Sequence, residues 1–203
     1  MSRFTGSKSK VSRRFGEPIF GREKEIKRPN PPGQHGAKRK RKVSEYGQQL
    51  LEKQKAKYIY GMREGQFRIF FERAMAKQGK TGDLLLQMCE SRLDNVVYRL
   101  GIAPTRAAAR QLVSHGHFLL NGRRVDIPSI RLNPGDVLEV RPKSGKSEYF
   151  KNLPNIIGAA NATPLSWLKV DAKKMKIEVS GLPKREEAEA GINEQLIVEY
   201  YSR

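Results

Sequence analysis

Apolar side chains recur at helical spacing along the first half of the chain. Helix-forming residues follow a possible N-cap at Ser44 and precede a stop at Gly61, which predicts a helix over about 45–60. In the next segment one apolar stripe has the spacing i, i+3, i+4, i+7 and i+8, formed by Phe67, Phe70, Phe71, Ala74 and Met75. This second helix therefore needs a packing partner.

Shorter helical patterns follow. One face is formed by Leu85, Met88 and Cys89, and a second by Leu93, Val96, Val97 and Leu100, which Gly101 ends. A further helix is expected from Thr105 to Ser114 after Pro104. Its apolar side carries Ala108, Ala109 and Leu112, and its polar side carries Arg106, Arg110, Gln111 and Ser114.

The pattern then changes to that of a small antiparallel sheet. Asn121-Gly122 is typical of a tight hairpin, and a short strand over 137–140 follows a Pro-Gly turn. No element is predicted with a definite position over 146–180. The chain closes with an amphipathic helix whose apolar residues are Ile192, Leu196, Ile197, Tyr200 and Tyr201. The predicted fold class is α+β.

Charge adds a different kind of information. The 40 Lys and Arg residues outnumber 21 acidic residues, a net charge of +19, and residues 1–42 alone contain 14 basic and three acidic residues. Such an excess indicates a polyanionic partner. Pro29, Pro31, Pro32, Gly33 and Gly36 disfavour helix and central strand, and the basic block 38–42 repels itself. We therefore expect residues 1–42 to be mobile in the free protein.

Several classes of protein are disfavoured. The apolar stretches fall short of the roughly 18–20 residues of a membrane span, and the amino end lacks the apolar run of a signal peptide, so no membrane partner is expected. One cysteine and three histidines provide neither a disulfide nor a four-ligand zinc site. Phosphate-binding glycine motifs are absent from the sequence. We expect no cofactor and no metal, and Cys89 is interpreted as a core residue.

Two alternatives to a binding protein of defined specificity stay open. Arg92-Leu93-Asp94 matches the R-L-D motif of pseudouridine synthases, in which the aspartate attacks uridine. Here the motif lies inside a helical stripe, which predicts a solvent-facing or capping Asp94. A general basic protein that compacts nucleic acid is the second alternative. His115 and His117 are interpreted as residues that make local hydrogen bonds.

Arginines give the chain its candidate RNA-binding surface. Arg106 and Arg110 are spaced i, i+4 behind Thr105, where a helix amino end offers backbone N–H groups to phosphate. Arg92, Arg99, Arg123 and Arg124 are expected to extend this basic groove. The aromatic residues lie mostly on predicted helix cores, so recognition of RNA shape and backbone is favoured over base stacking.

These residues carry a family resemblance. RLDNVVYRLGIAPTRAAARQLVSHGHFLLNGRRVDIPSIRLNPGDVLEVR, residues 92–141, resembles the S-four RNA-binding domain. The flanking sequences resemble the bacterial-type small-subunit ribosomal protein S-four family: PPGQHG at 31–36, SEYGQQLLEKQKAKYIYG at 44–61, TGDLLLQMCESRLDNVVYRLG at 81–101 and INEQLIVEYYSR at 192–203. In that family the RNA-binding module is inserted into a helical domain, which implies that residues 44–90 pack with the carboxyl-terminal helix.

The resemblance completes the predicted organisation. An extended basic arm spans 1–43, a helical domain combines 44–91 with 181–203, and the helix-helix-hairpin module with an irregular segment spans 92–180. Some family members carry a zinc site of four cysteines in the arm. This chain has no cysteine before Cys89, so the arm is expected to be ordered by RNA and by its Pro and Gly turns.

The resemblance also implies a function. It implies a structural, non-enzymatic protein of the small subunit, cytoplasmic and ribosome-bound, that binds a multi-helix junction in the 5′ domain of ribosomal RNA and nucleates assembly of the subunit body. It further implies a place along the mRNA channel, contact with ribosomal protein S-five and an influence on translational accuracy. His35, Lys38 and Arg41 are the arm residues assigned to RNA, with Lys53 and Lys57 on the first predicted helix.

Overall fold

Contacts divide the chain into two compact units. The computed structural model describes residues 4–21, 26–38, 42–152, 165–171 and 175–203. Met1–Leu85 and Gly191–Arg203 form one unit, here called the helical unit, and Leu86–Ala190 form the other, the sheet unit. These boundaries differ from the predicted ones, since residues 1–43 group with the helical unit. The division into an arm, a helical domain and a module as separate domains stays a prediction.

Helices make up most of the regular structure. In chain order they are α1 (Lys8–Phe15), α2 (Glu45–Ile59), α3 (Glu64–Met75), α4 (Thr81–Glu90), α5 (Leu93–Arg99), α6 (Arg106–Ser114), α7 (Pro142–Gly145), α8 (Glu148–Lys151) and α9 (Glu194–Tyr201). A 3-10 helix spans Arg185–Glu187. Among the described residues, none of the helices has the length and apolar character needed to cross a membrane.

The described part of the sheet unit contains an antiparallel sheet of five strands. Its strands are β1 (Phe118–Leu120), β2 (Arg123–Val125), β3 (Val137–Val140), β4 (Leu168–Asp171) and β5 (Lys176–Val179), in the order β2-β1-β3-β5-β4. The hairpin predicted at Asn121-Gly122 joins β1 to β2, with Phe118 opposite Val125. β5 pairs with both β3 and β4. Helices plus this sheet confirm the α+β prediction.

The helical unit has the elements that the apolar pattern predicts. The Ser44 hydroxyl caps α2 by accepting a hydrogen bond from the Gly47 N–H at 3.2 Å. Phe67, Phe70, Phe71 and Ala74 of α3 are buried, whereas Met75 is 61% exposed and so lies outside the stripe predicted for it. α9 packs on α2, which confirms the expected pairing of the carboxyl-terminal helix with residues 44–90.

The sheet unit is held together by a core between α5, α6 and the sheet. The fully buried members include Leu93, Val96, Val97, Ala109, Val113, Phe118 and Leu138. Cys89 is buried, as predicted, and this burial raises the pKa of its thiol well above its ordinary value. The Thr105 hydroxyl accepts a hydrogen bond from the Ala108 N–H at 3.2 Å and caps α6.

The amino-terminal segment is more ordered than its charge suggests. α1 carries a buried Val11, and Ile19 is buried after it. The rings of Phe4, Phe15 and Phe20 surround Tyr58 of α2 at centroid distances of 5.3, 6.2 and 6.5 Å. The prediction of an arm without folded structure is therefore wrong for residues 4–21. The reason is that the phenylalanines within this basic sequence pack on Tyr58 of α2.

Candidate nucleic-acid interface

Arg92, Asp94 and the half-buried Arg110 form a charge cluster where α5 begins. Arg92 donates to both Asp94 carboxylate oxygens, from Nε at 3.0 Å and Nη2 at 2.8 Å. Arg110 donates to Oδ2 from Nε at 2.8 Å and Nη2 at 2.6 Å. Only 1% of the Arg92 side chain and 4% of the Asp94 side chain are exposed. Asp94 is neither solvent-facing nor a simple cap, and Arg92 lies inside the fold rather than on an exposed groove.

A second network joins α5 and α6. Arg99 donates to the Glu90 carboxylate from Nε at 3.0 Å and from Nη2 at 2.8 Å. Arg106 donates from Nε to Asn95 Oδ1 at 2.9 Å and from Nη2 to Glu189 Oε2 at 2.6 Å. The polar face of α6, predicted to be open to phosphate, is therefore occupied by internal ion pairs.

Arg123 and Arg124 are exposed, as the sequence predicts. Both are exposed on β2, the first strand of the sheet, and neither makes an ion pair with any described residue. Arg124 lies against Gly116, where a Cβ atom would come within 2.4 Å of Arg124 Nε. Gly116 also has a positive φ of 71°, a backbone conformation that favours glycine. The guanidinium group of Arg124 therefore lies over Gly116, while Arg124 as a whole remains exposed.

The two histidines lie close to this hairpin. The rings of His115 and His117 are 6.0 Å apart, and His117 Nδ1 lies 2.9 Å from the Ser144 hydroxyl. Burial lowers the pKa of His117, and the charges of His115 and Arg141 lower it further. The local hydrogen bonds of the two residues are made by their backbone N–H groups, from His115 to the Gln111 carbonyl and from His117 to the Leu112 carbonyl, whereas the His117 ring contacts a residue 27 positions away.

Lys53 and Lys57 both bind one carboxylate in the helical unit. Lys53 Nζ lies 2.7 Å from Glu64 Oε1 and Lys57 Nζ lies 3.1 Å from Oε2. Lys53 is buried, and its ammonium also lies 4.7 Å from the centroid of the Tyr200 ring. Lys53 therefore acts between α2, α3 and α9 as a structural residue, which corrects its assignment to an RNA surface.

This carboxylate gives the helical unit a pH dependence. Burial alone would raise the pKa of Glu64, but hydrogen bonds from Lys53, Lys57 and Tyr201 lower it overall. Because the pKa of Glu64 is lowered in the folded state, ionised Glu64 stabilises the fold at pH values above its ordinary pKa of 4.5. This stabilisation is lost as the pH falls through the lowered pKa of the folded state. We expect acid destabilisation below about pH 4.5 to be weaker in Glu64→Gln, measured by far-UV circular dichroism melts; an unchanged pH profile would contradict the role of Glu64.

The motif PPGQHG forms a compact turn. The Gly36 N–H donates to the Gly33 carbonyl and the Lys38 N–H donates to the His35 carbonyl, each at 3.1 Å. A Cβ atom at Gly36 would come within 2.0 Å of the Pro31 carbonyl oxygen, so this turn excludes larger residues. His35 and Lys38 are exposed on it. Arg41 lies outside the described residues.

Comparison with known proteins covers the whole chain. The family model "Ribosomal protein S4/S9 N-terminal domain" matches residues 3–90, and the "S4 domain" model matches residues 91–138. Proteins named "Small ribosomal subunit protein uS4" from Roseiflexus sp. (strain RS-1) and Chloroflexus aurantiacus (strain ATCC 29366) are each 53% identical over 206 residues. The protein of that name from Parabacteroides distasonis is 52% identical over 204 residues. Each match covers 100% of both chains.

The chain belongs to the uS4 family of small ribosomal subunit proteins. The resemblance stated from the sequence is thereby confirmed, together with the S4 domain itself. The S4 domain match ends at residue 138, inside β3. In this uS4 chain β4 and β5 therefore extend the sheet beyond the matched domain.

Sequence reasoning missed the acidic partners of the arginines. Glu90 and Glu189 belong to the same network as Arg99 and Arg106, yet Glu189 follows Arg106 by 83 residues in the chain. Residues so far apart in the chain produce no periodic pattern in the sequence that would indicate their contact. Arg92 and Asp94 stand together in the R-L-D motif, but an i, i+2 spacing indicates neither that the two side chains pair nor that they are buried.

Proposed function

We propose that this chain binds small-subunit ribosomal RNA at a multi-helix junction of the 5′ domain and nucleates assembly of the subunit body. Membership of the uS4 family supports a structural, non-enzymatic role in the ribosome. The observation that carries the proposal is the exposed pair Arg123 and Arg124 on β2, inside the matched S4 domain. Guanidinium groups that form no ion pair with the described part of the chain, on an exposed edge strand, are suited to phosphate oxygens.

The sheet supports contact with the RNA backbone rather than base stacking. Phe118 is the aromatic residue of the five strands, and it is buried in the core. Proteins that read single-stranded RNA on a sheet use exposed aromatic rings as stacking platforms. The available contacts are therefore charged, and recognition depends on how the folded RNA arranges its phosphates.

The turn over 31–38 supports a second contact. His35 and Lys38 are exposed there, and Arg13 anchors the turn by donating to the carbonyls of Asn30 at 2.8 Å and Pro31 at 3.2 Å. We infer that this turn presents Lys38 to mRNA where mRNA enters the subunit, and that the basic sequence over 38–42 assists unwinding of structured message. Contact with ribosomal protein S-five and an effect on accuracy belong to the same proposal.

Salt dependence tests the RNA-binding proposal directly. We expect the chain to bind a transcript of the 5′ domain junction with a log–log salt slope that reflects on the order of 6 to 10 phosphate contacts. A filter-binding or fluorescence titration at several salt concentrations measures this slope. Duplex DNA of equal length is the control, and equal affinity for both would favour the general nucleic-acid compactor instead.

A further inference from the structure

One carboxylate oxygen lies between two arginine side chains in the sheet unit. Glu189 Oε2 accepts a hydrogen bond from Arg106 Nη2 at 2.6 Å and forms an ion pair with Arg99 Nη2 at 3.3 Å. A single oxygen held by two guanidinium groups is also the arrangement in which arginines bind an oxygen of RNA phosphate. The pair therefore forms an anion site that an internal group already fills.

Both arginines are also held by groups other than Glu189. Arg99 is bound to Glu90 through two hydrogen bonds, and only 2% of the Glu90 side chain is exposed. Arg106 donates from Nε to Asn95, and its guanidinium carbon lies 4.4 Å from the centroid of the Tyr98 ring. Displacement of Glu189 would leave the two guanidinium groups in place, facing the same point.

Glu189 is the most exposed member of this group. Its side chain is 32% exposed, compared with 17% for Arg99 and 15% for Arg106. It lies after the 3-10 helix Arg185–Glu187, in a stretch without regular structure before α9. The carboxylate is therefore the part of the network that solvent and an incoming ligand reach first, and the backbone that carries it is not fixed by helical hydrogen bonds.

We propose that Glu189 occupies a phosphate site and competes with RNA for Arg99 and Arg106. The part of this inference that concerns RNA rests on the proposed function above. In a chain of net charge +19, an internal carboxylate at this point lowers the affinity for any polyanion. RNA gains this phosphate contact only by displacing Glu189. Displacement requires that other contacts between the protein and the RNA hold the phosphate close to Arg99 and Arg106.

Glu189→Gln tests the competition, with Glu186→Gln as the matched control. Glu186 lies three residues earlier, is exposed, and makes no ion pair with any described residue. Both variants lose one negative charge, but only Glu189→Gln removes the competing carboxylate. Relative to Glu186→Gln, we expect Glu189→Gln to bind the junction transcript about 3- to 10-fold more tightly, with a salt slope steeper by about 0.7 to 0.9, as for one added phosphate contact.

Inorganic phosphate provides a test that does not depend on RNA. We expect the side-chain Nε–H signals of Arg99 and Arg106 in ¹⁵N NMR to shift at lower phosphate concentration in Glu189→Gln than in either the parent chain or Glu186→Gln. Trp167 is the single tryptophan and is buried in the sheet unit. Its fluorescence therefore reports whether each variant keeps the stability of that unit.

Each result has a definite meaning. Equal RNA affinity and equal phosphate response in the two variants would overturn the proposal. A Glu189→Gln chain that unfolds at lower denaturant and binds RNA less tightly would also overturn it, because Glu189 would then be structural. A stronger phosphate response in Glu189→Gln, without RNA binding by any of the chains, would support the anion site and overturn the proposed function.

Discussion

Replacement of Asp94 with asparagine is expected to lower the free energy of unfolding of the sheet unit by about 3 kcal/mol, because removal of one partner from a buried ion pair leaves an uncompensated charge. Asp94 accepts four hydrogen bonds from Arg92 and Arg110. The Arg92 side chain is almost fully buried, so its charge has little access to solvent in the folded state. Chemical denaturation followed by Trp167 fluorescence measures the loss.

Asp126→Asn is the matched control for this experiment. Asp126 belongs to the same unit, is exposed, and makes no ion pair with any described residue. Its replacement is expected to change the free energy of unfolding by at most about 0.5 kcal/mol. Equal stabilities for the two variants would show that the cluster of Asp94 with two arginines contributes nothing to the fold. The same result would reopen the interpretation of Asp94 as a reactive group.

Simultaneous replacement of Arg123 and Arg124 with alanine is expected to weaken binding of the junction RNA by roughly 100-fold, at about 1.4 kcal/mol for each charged contact. The salt slope should become shallower by between about 1 and 2, since two phosphate contacts are lost. Folding should be unaffected, because both side chains are exposed and make no ion pair with any described residue.

The double variant Arg73→Ala with Lys77→Ala serves as the comparison. Both of these residues are exposed in the helical unit, so the variant has the same net charge as the hairpin variant. If the two variants lost the same affinity, binding would depend on total charge and not on the hairpin. That outcome would favour a general nucleic-acid compactor.

Helices with a clear apolar stripe could be predicted from the sequence, and the short strands only in part. α2 and α6 begin at the caps that Ser44 and Thr105 predict, and α3 buries the expected phenylalanines. β5 was missed although Lys176, Ile177, Glu178 and Val179 alternate in burial. Four alternating residues give too little periodicity to outweigh the mixed sequence around them. β4 was also missed, because it is defined by its hydrogen bonds to β5 and not by a pattern in its own sequence.

The candidate site could be predicted as a set of arginines but not as a set of contacts. Arg123 and Arg124 are exposed as expected, on β2 at the edge of the sheet. Arg92, Arg99, Arg106 and Arg110 are bound to carboxylates instead. A periodic pattern shows which face of a helix is polar, but it does not show whether water, RNA or an internal carboxylate covers that face.

The helical unit is assembled from two stretches separated by the whole sheet unit, and this imposes an order on synthesis. A ribosome making this chain completes Leu86–Ala190 before it reaches Gly191–Arg203. Until α9 emerges, Phe71 lacks the Tyr201 ring that stacks on it at 4.6 Å, and Lys53 lacks the tyrosines that flank it. The continuous sheet unit can fold as the chain lengthens, whereas the helical unit must wait for a distant segment. During that interval the nascent protein exposes apolar helix surface, and it is then most vulnerable to aggregation and proteolysis.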